Sequence, residues 1–226
     1  TAISGEPKTG KSHFALTFPD PITIVSFDQG IEPIIKNFPG KKIDIMTYEL
    51  PLVETVRAIG QKKQILDIWN QFKADYIKTT EDKEVKTIVI DTATAAYEIC
   101  RIARTGELGR ELDPTEYGDV YLRMKALIQR ARLSGQNLVL THYMKDIYKS
   151  GEPTGEKKID AFRYTESEVD LSLITTRVTE VLPDRKKSTR IVTTIKETRY
   201  DALNLTGFEF INGTYDDIVS VLGLDT

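Results

Sequence analysis

Gly5-Glu6-Pro7-Lys8-Thr9-Gly10-Lys11-Ser12 spells G-x-x-x-x-G-K-S, and the remaining residues are read outward from it. Phosphate binding needs these residue types at this spacing. The glycines let backbone N–H groups curl around a phosphate, Lys11 reaches the terminal oxygens, and the Ser12 hydroxyl is a ligand for Mg²⁺. Gly5, Glu6, Pro7, Lys8, Thr9, Gly10, Lys11, Ser12 and His13 are therefore the candidate nucleotide-binding residues. Ala2-Ile3 ahead of the loop is strand-like, and Phe14, Ala15, Leu16 and Phe18 behind it suit a packed helix. Strands usually run about five or six residues, so the short stretch from Thr1 predicts a first strand cut short.

Pro21 to Phe27 and Thr87-Ile88-Val89-Ile90-Asp91 are unbroken β-rich runs, the pattern of strands buried on both faces. Asn137-Leu138-Val139-Leu140-Thr141-His142 is another, and Ile43 to Tyr48 is shorter. Between them, apolar residues recur at helical spacing from Leu52 to Tyr76, from Ala93 to Arg104 and from Glu116 to Ser134. Strands alternating with helices predict a mainly parallel sheet, with its ligand at the carboxyl edge of the strands. The phosphate loop, Asp28, Asp91 and Thr141-His142 all fall on that edge. The last third changes character: Leu171 to Leu182, a turn at Pro183 to Lys187, and Ser188 to Thr198 read as an antiparallel hairpin. A strand at Gly207 to Ile211 and a helix at Tyr215 to Leu222 follow. The whole of 1–226 is read as one α/β domain.

Composition narrows the class of protein. The chain has 226 residues, 40% apolar and 29% charged, and no apolar run approaches the ~20 residues that cross a bilayer. A lone cysteine, Cys100, rules out an intramolecular disulfide and fits the reducing interior of a cell. Net charge is only −3, so nucleic acid, if bound, is bound through local patches rather than an overall field. With two histidines and one cysteine, a Cys/His metal cluster is excluded.

Asp91 ends an apolar strand some eighty residues after the loop, where a carboxylate holds the Mg²⁺ shell opposite Ser12. The next residue is Thr92 and not the glutamate that many ATPases use to activate water, so a base must come from another strand or hydrolysis is slow.

Together, the loop, the Asp91-Thr92 pair, Leu138 to His142 and the closing hairpin with Ile195-Lys196-Glu197-Thr198-Arg199 resemble the RecA-like P-loop ATPases over essentially the whole chain. The resemblance is closest to the phage ATPases of single-strand annealing and recombination. It implies a sheet flanked by helices with a C-terminal hairpin, ATP and Mg²⁺ as ligands, and self-association with ATP at the subunit interface. It also implies a general base after the second strand. Asp28 is the candidate there and Glu32 the reserve, although that family more often has Glu near this position and Asp28 equally suits a turn before Gly30. His142 takes the place of a polar sensor of the γ-phosphate. Lys196 and Arg199 would act in trans on a neighbour's nucleotide, or serve as solvated charges on an edge strand.

Two segments lie where that family binds single-stranded DNA. One holds Arg101, Arg104 and Arg110. The other, from Tyr143 to Arg163, holds Lys145, Lys149, Lys157, Lys158 and Arg163 with aromatic residues interleaved, the composition of a single-strand groove. The expectation is a Mg²⁺-dependent ATPase that binds single-stranded DNA, in the host cytoplasm if phage-encoded, with a single-strand-binding protein as a further partner. A hexameric helicase motor and a nucleotide-gated assembly protein that hydrolyses little stand as alternatives.

Overall fold

The computed structural model describes residues 1–27, 30–51, 59–160, 162, 164–181, 187–200 and 204–223. Among them eight strands form one sheet: β1 (Ala2–Gly5), β2 (Ile22–Ser26), β3 (Ile43–Thr47), β4 (Thr87–Asp91), β5 (Asn137–His142), β8 (Leu171–Val181), β9 (Lys187–Thr198) and β10 (Glu209–Ile211). Their order across it is β10-β9-β8-β1-β5-β4-β2-β3. From β8 to β3 all neighbours are parallel, while β9 and β10 add antiparallel pairs at one side. The two remaining strands, β6 (Met144–Lys149) and β7 (Glu152–Ile159), form a separate antiparallel ribbon.

The apolar runs work as expected because both faces of the sheet are covered. β2 and β4 are buried along their whole length. On one face, α3 (Ile59–Glu81), α4 (Ala93–Leu108) and α5 (Tyr117–Ser134) pack Trp69, Phe72, Tyr76, Cys100, Met124 and Ile128 against Ile88, Ile90 and Leu140. On the other, α1 (Lys11–Ala15) and α7 (Tyr215–Leu222) pack Phe14, Leu16, Ile218 and Leu222 against Ile3, Ile24, Val139, Leu173 and Ile195. Each such side chain, fully buried, contributes about 1.5–3 kcal/mol. Cys100 is one of them, a buried free thiol.

β5 and β4 stand between β1 and β2, although β2 follows β1 in the chain. The connection from β1 through α1 to β2 thus crosses over β5 and β4, and it starts at the carboxyl edge of the sheet. β1 itself is four residues long.

Several boundaries differ from the sequence reading. α3 continues through the charged stretch to Glu81, since the buried Thr79 and Thr80 return their hydroxyls to carbonyls within the helix. α4 extends past the expected end at Arg104 to Leu108, ending on Gly109 with φ 68. The polar segment after Tyr143 is the β6–β7 ribbon and not an irregular loop, closed by Ser150 and Gly151 at positive φ. α2 (Glu32–Ile35) and α6 (Thr165–Glu168) are single turns. Among the described residues no helix is long and apolar enough to cross a membrane.

Candidate functional site

Gly5, the last residue of β1, lies so close to β8 that an added Cβ would sit 2.5 Å from the Thr175 carbonyl oxygen. Gly10 has φ 86 and precedes α1, a conformation that glycine adopts without strain. Between them Thr9 Oγ1 donates to the Glu6 carbonyl at 2.8 Å and shares a hydrogen bond of 2.9 Å with Thr175 Oγ1, fastening the loop to β8. The first helical bond runs from Phe14 N to Gly10 O, which leaves the earlier N–H groups to serve an anion.

Lys11 is buried, with 6% of its surface exposed. Its Nζ donates to the carbonyls of Gly5 at 3.0 Å and Glu6 at 2.8 Å and stands 4.9 Å over the Tyr143 ring. The ammonium is thus folded onto its own loop, beside the space where a phosphate would draw it. Ser12 Oγ donates to Asp91 Oδ2 at 3.0 Å, and Thr141 Oγ1 donates to Asp91 Oδ1. Asp91 is itself buried, so β4, β5 and α1 bring one acid and two hydroxyls to one point. A cavity of about 310 Å³ adjoins it, lined by the loop from Pro7 to His13 with Gly30, Ile34, Asp91, Thr92 and Tyr143.

These residues fit Mg²⁺. The ion takes oxygen ligands, keeps several waters and is held by one or two carboxylates together with substrate phosphates. Ser12 and Asp91 supply two adjacent hard oxygens at the cavity wall. Among the described residues no group of three or more His, Cys, Asp or Glu could cage a metal without substrate.

Thr92, in the place of the water-activating glutamate, caps α4: its hydroxyl accepts from Ala95 N at 3.1 Å, and the residue is buried. It is committed to structure. Asp28 lies outside the described residues. The chain on either side of it reaches the site, for Ser26 is in register with Asp91 and Gly30 lines the cavity. Glu32 is exposed on α2, two residues before the cavity-lining Ile34.

His142 ends β5, beside Ser4. It is fully buried, and neither ring nitrogen has a hydrogen-bond partner among the described residues. Burial, reinforced by the nearby Lys11 charge, lowers its pKa to about 3, so the ring is neutral. It is not among the residues lining the cavity; from β5 it is Thr141, its neighbour, whose side chain touches Asp91.

A second cavity of about 420 Å³ shares Lys8, Gly10 and His13 with the first and continues to Phe14, Ile191, Thr193, Asn212 and Gly213. Thr193 Oγ1 is buried without a hydrogen-bond partner among the described residues, and Asn212 is exposed at φ 50. Sequence reading missed this half of the site. Its signal was the alternation of Ile191 and Thr193 along β9, which only the position of that strand beside the loop makes meaningful.

The remaining candidates are dispersed. Arg101 pairs with Glu98 at 2.8 Å, Arg104 with Glu107 and Asp119, and Arg110 with Glu116 at 2.7 Å, on and around α4 and α5. On the ribbon, Lys145 pairs with Asp160 at 2.6 Å, while Lys149 and Lys158 are exposed. Lys157 contacts Glu6 of the phosphate loop and stands 3.5 Å from Asp146. Arg163 lies outside the described residues. Lys196 is 2.5 Å from Glu166 and Arg199 is 3.2 Å from Asp170. Both lie by the amino end of β8, level with the start of β1 and far from their own phosphate loop.

A protein-family model described as an AAA domain matches residues 1–204. Among solved structures, the X-ray structure of the Legionella pneumophila ATPase DotB is similar at 11% identity and a TM-score of 0.34, over 99% of this chain and 51% of that one. The chain thus spans about half the length of that protein. No curated protein matches it.

Proposed function

This chain belongs to the AAA domain family, and from that premise we propose that it is a Mg²⁺-dependent ATPase of RecA-like type that binds single-stranded DNA in phage recombination or annealing. The family and the fold are those of a P-loop ATPase. The observation that carries the chemistry is the contact of Ser12 with Asp91 on the wall of a cavity that Lys11 also lines.

The two joined cavities suit a nucleoside triphosphate, with the phosphates beside Asp91 and the nucleoside toward Thr193 and Gly213. Lys11 leaves the carbonyls of Gly5 and Glu6 for the β- and γ-phosphate oxygens, exchanging two neutral acceptors for charged ones. Ser12 and Asp91 would hold Mg²⁺, which would supply neutralisation of the phosphate charge. Thr141 fixes the Asp91 carboxylate, and water is activated by Asp28 with Glu32 in reserve. Catalysis on this plan is positioning plus electrostatic stabilisation. The β6–β7 ribbon, rich in lysine and rising beside the site, is the DNA-binding element. Subunits associate with nucleotide between them, Lys196 and Arg199 turned to the neighbour, and a single-strand-binding protein is a further partner.

The commitment of Thr92 to capping α4 favours a second reading, a nucleotide-gated assembly protein with little hydrolysis. A helicase motor would be marked by processive strand displacement.

The test is ATP binding by calorimetry with Mg²⁺ for the wild type and Lys11→Ala, followed by hydrolysis with and without single-stranded DNA. Loss of binding in the variant and DNA-stimulated turnover in the wild type are expected. Unaltered ATP affinity in Lys11→Ala sinks the phosphate-loop assignment. Binding without turnover selects the gated reading.

A further inference from the structure

Above the nucleotide cavities rises a ribbon that the rest of the sheet does not support. β1 stops pairing with β8 at Gly5 opposite Thr175, and β10 reaches β9 only as far as Val192. β8 and β9 nevertheless stay paired out to Val181 opposite Lys187. At ~3.3 Å per residue, that carries the ribbon roughly 20 Å beyond the loop.

Side chains alternate along a strand, so the ribbon's faces are fixed at its root. Leu173 packs in the core on the α1 side, and Thr175 touches Thr9 of the phosphate loop at 2.9 Å. Arg177 is next on that face. Directly across from it stands Ile191, whose Cγ1 would lie 3.3 Å from a Cβ added to Gly10 and which lines the second cavity. The two faces differ in charge. The outer one carries Glu180 paired with Arg190 at 2.6 Å. The one toward α1 carries Arg177 and Lys187, the Thr179–Thr189 hydroxyl pair at 3.3 Å and no carboxylate among its described residues. Arg177 is exposed, with no hydrogen bond or ion pair among the described residues. An arginine left unpaired on the face that carries Thr175 and stands across from the cavity-lining Ile191 is placed for phosphate, which its planar fork binds through two parallel hydrogen bonds.

We infer that Arg177 binds the α- and β-phosphates of a nucleoside triphosphate seated on its own chain's loop. The inference rests on the nucleotide reading above. Sheet order assigns the phosphates: β8 flanks β1 on one side, while Asp91 ends β4 two strands away on the other. The terminal phosphate and metal belong at Asp91, so Arg177 meets the nucleoside end of the chain of phosphates. Its role is binding and positioning, distinct from that of Lys196 and Arg199 at the far edge.

The test is titration of ATP and of ADP, each with Mg²⁺, into wild type, Arg177→Ala and Arg177→Lys, with apo melting temperatures measured alongside. Removal of one charge-assisted hydrogen-bonding group predicts roughly tenfold weaker binding of both nucleotides in Arg177→Ala. Partial recovery in Arg177→Lys, unchanged melting, and a raised KM with kcat retained are also expected. At ATP well below the raised KM, an equimolar mixture of Lys11→Ala and Arg177→Ala should hydrolyse no faster than its Arg177→Ala component alone, because both groups serve one site; a faster rate would show action in trans and overturn the assignment. Weakening of ATP alone moves Arg177 to the terminal phosphate and overturns it as well. So does affinity that falls in step with the melting temperature, or unchanged affinity in Arg177→Ala beside a wild type that binds normally. Failure of the wild type to bind either nucleotide removes the ATPase reading and this inference with it.

Discussion

The Ser12 hydroxyl donates to the Asp91 carboxylate across 3.0 Å, although 79 residues separate them in the chain. Thr141 holds the other carboxylate oxygen, so the acid is oriented before any ligand arrives. A metal ion entering beside Ser12 would meet a carboxylate already aimed at it, which lowers the entropy lost on binding.

Asp91→Asn keeps the shape and removes the charge. Mg²⁺ dependence of ATP hydrolysis is expected to shift to about 10–100-fold higher metal concentration, the usual effect of losing a partner around a metal. The check is a Mg²⁺ titration of the steady-state rate at fixed ATP. An unshifted titration curve would place the metal elsewhere.

His142 gives folding a pH dependence. Its folded pKa, lowered to about 3 by burial and then by Lys11, lies below the ~6.5 of an unfolded histidine. Between those values the unfolded chain binds the proton and the folded one does not, so the stabilisation is present above pH ~6.5 and is lost as pH falls toward 3. The slope attributable to this residue is at most about 1.4 kcal/mol per pH unit. Denaturant unfolding of wild type and His142→Gln between pH 7 and about pH 4 should show the slope reduced in the variant. Parallel curves would mean the ring is not buried neutral.

On the ribbon, Lys158→Glu is expected to weaken binding of a single-stranded oligonucleotide and to reduce the salt dependence, with the log–log slope falling by about 0.7 for each phosphate that the protein no longer neutralises. Lys157→Glu should do the same and also disturb ATP binding, because Lys157 faces Glu6 of the phosphate loop. Fluorescence anisotropy across a salt series reads both effects. Equal affinity at every salt concentration would dismiss the ribbon as the DNA surface.

Much of the frame was legible because it depends on local rules. The loop declares itself through Gly5, Gly10, Lys11 and Ser12, and the strands ending in Asp91 and His142 are continuous apolar runs that only a sheet covered on both faces can bury. Helix ends were less legible. α3 runs on to Glu81 and α4 to Leu108 because tertiary contacts stabilise residues whose propensities are neutral, as where Gln136 donates to the Thr79 carbonyl at 3.1 Å. The basic residues of α4 have the composition of a nucleic-acid surface, but the fold sets Glu107 and Asp119 beside Arg104.

By itself, the sequence determined a loop of phosphate-binding type at Gly5 to Ser12 and an acid at the end of an apolar strand, since both follow from residue type and spacing along a few consecutive positions. The tertiary structure alone decided what stands around that grip. Strand order brings Thr141 to Asp91, Thr175 to Thr9 and Ile191 to Gly10, joining segments from opposite ends of the chain. No local pattern encodes these meetings, because they arise from which strands the buried faces force to be neighbours.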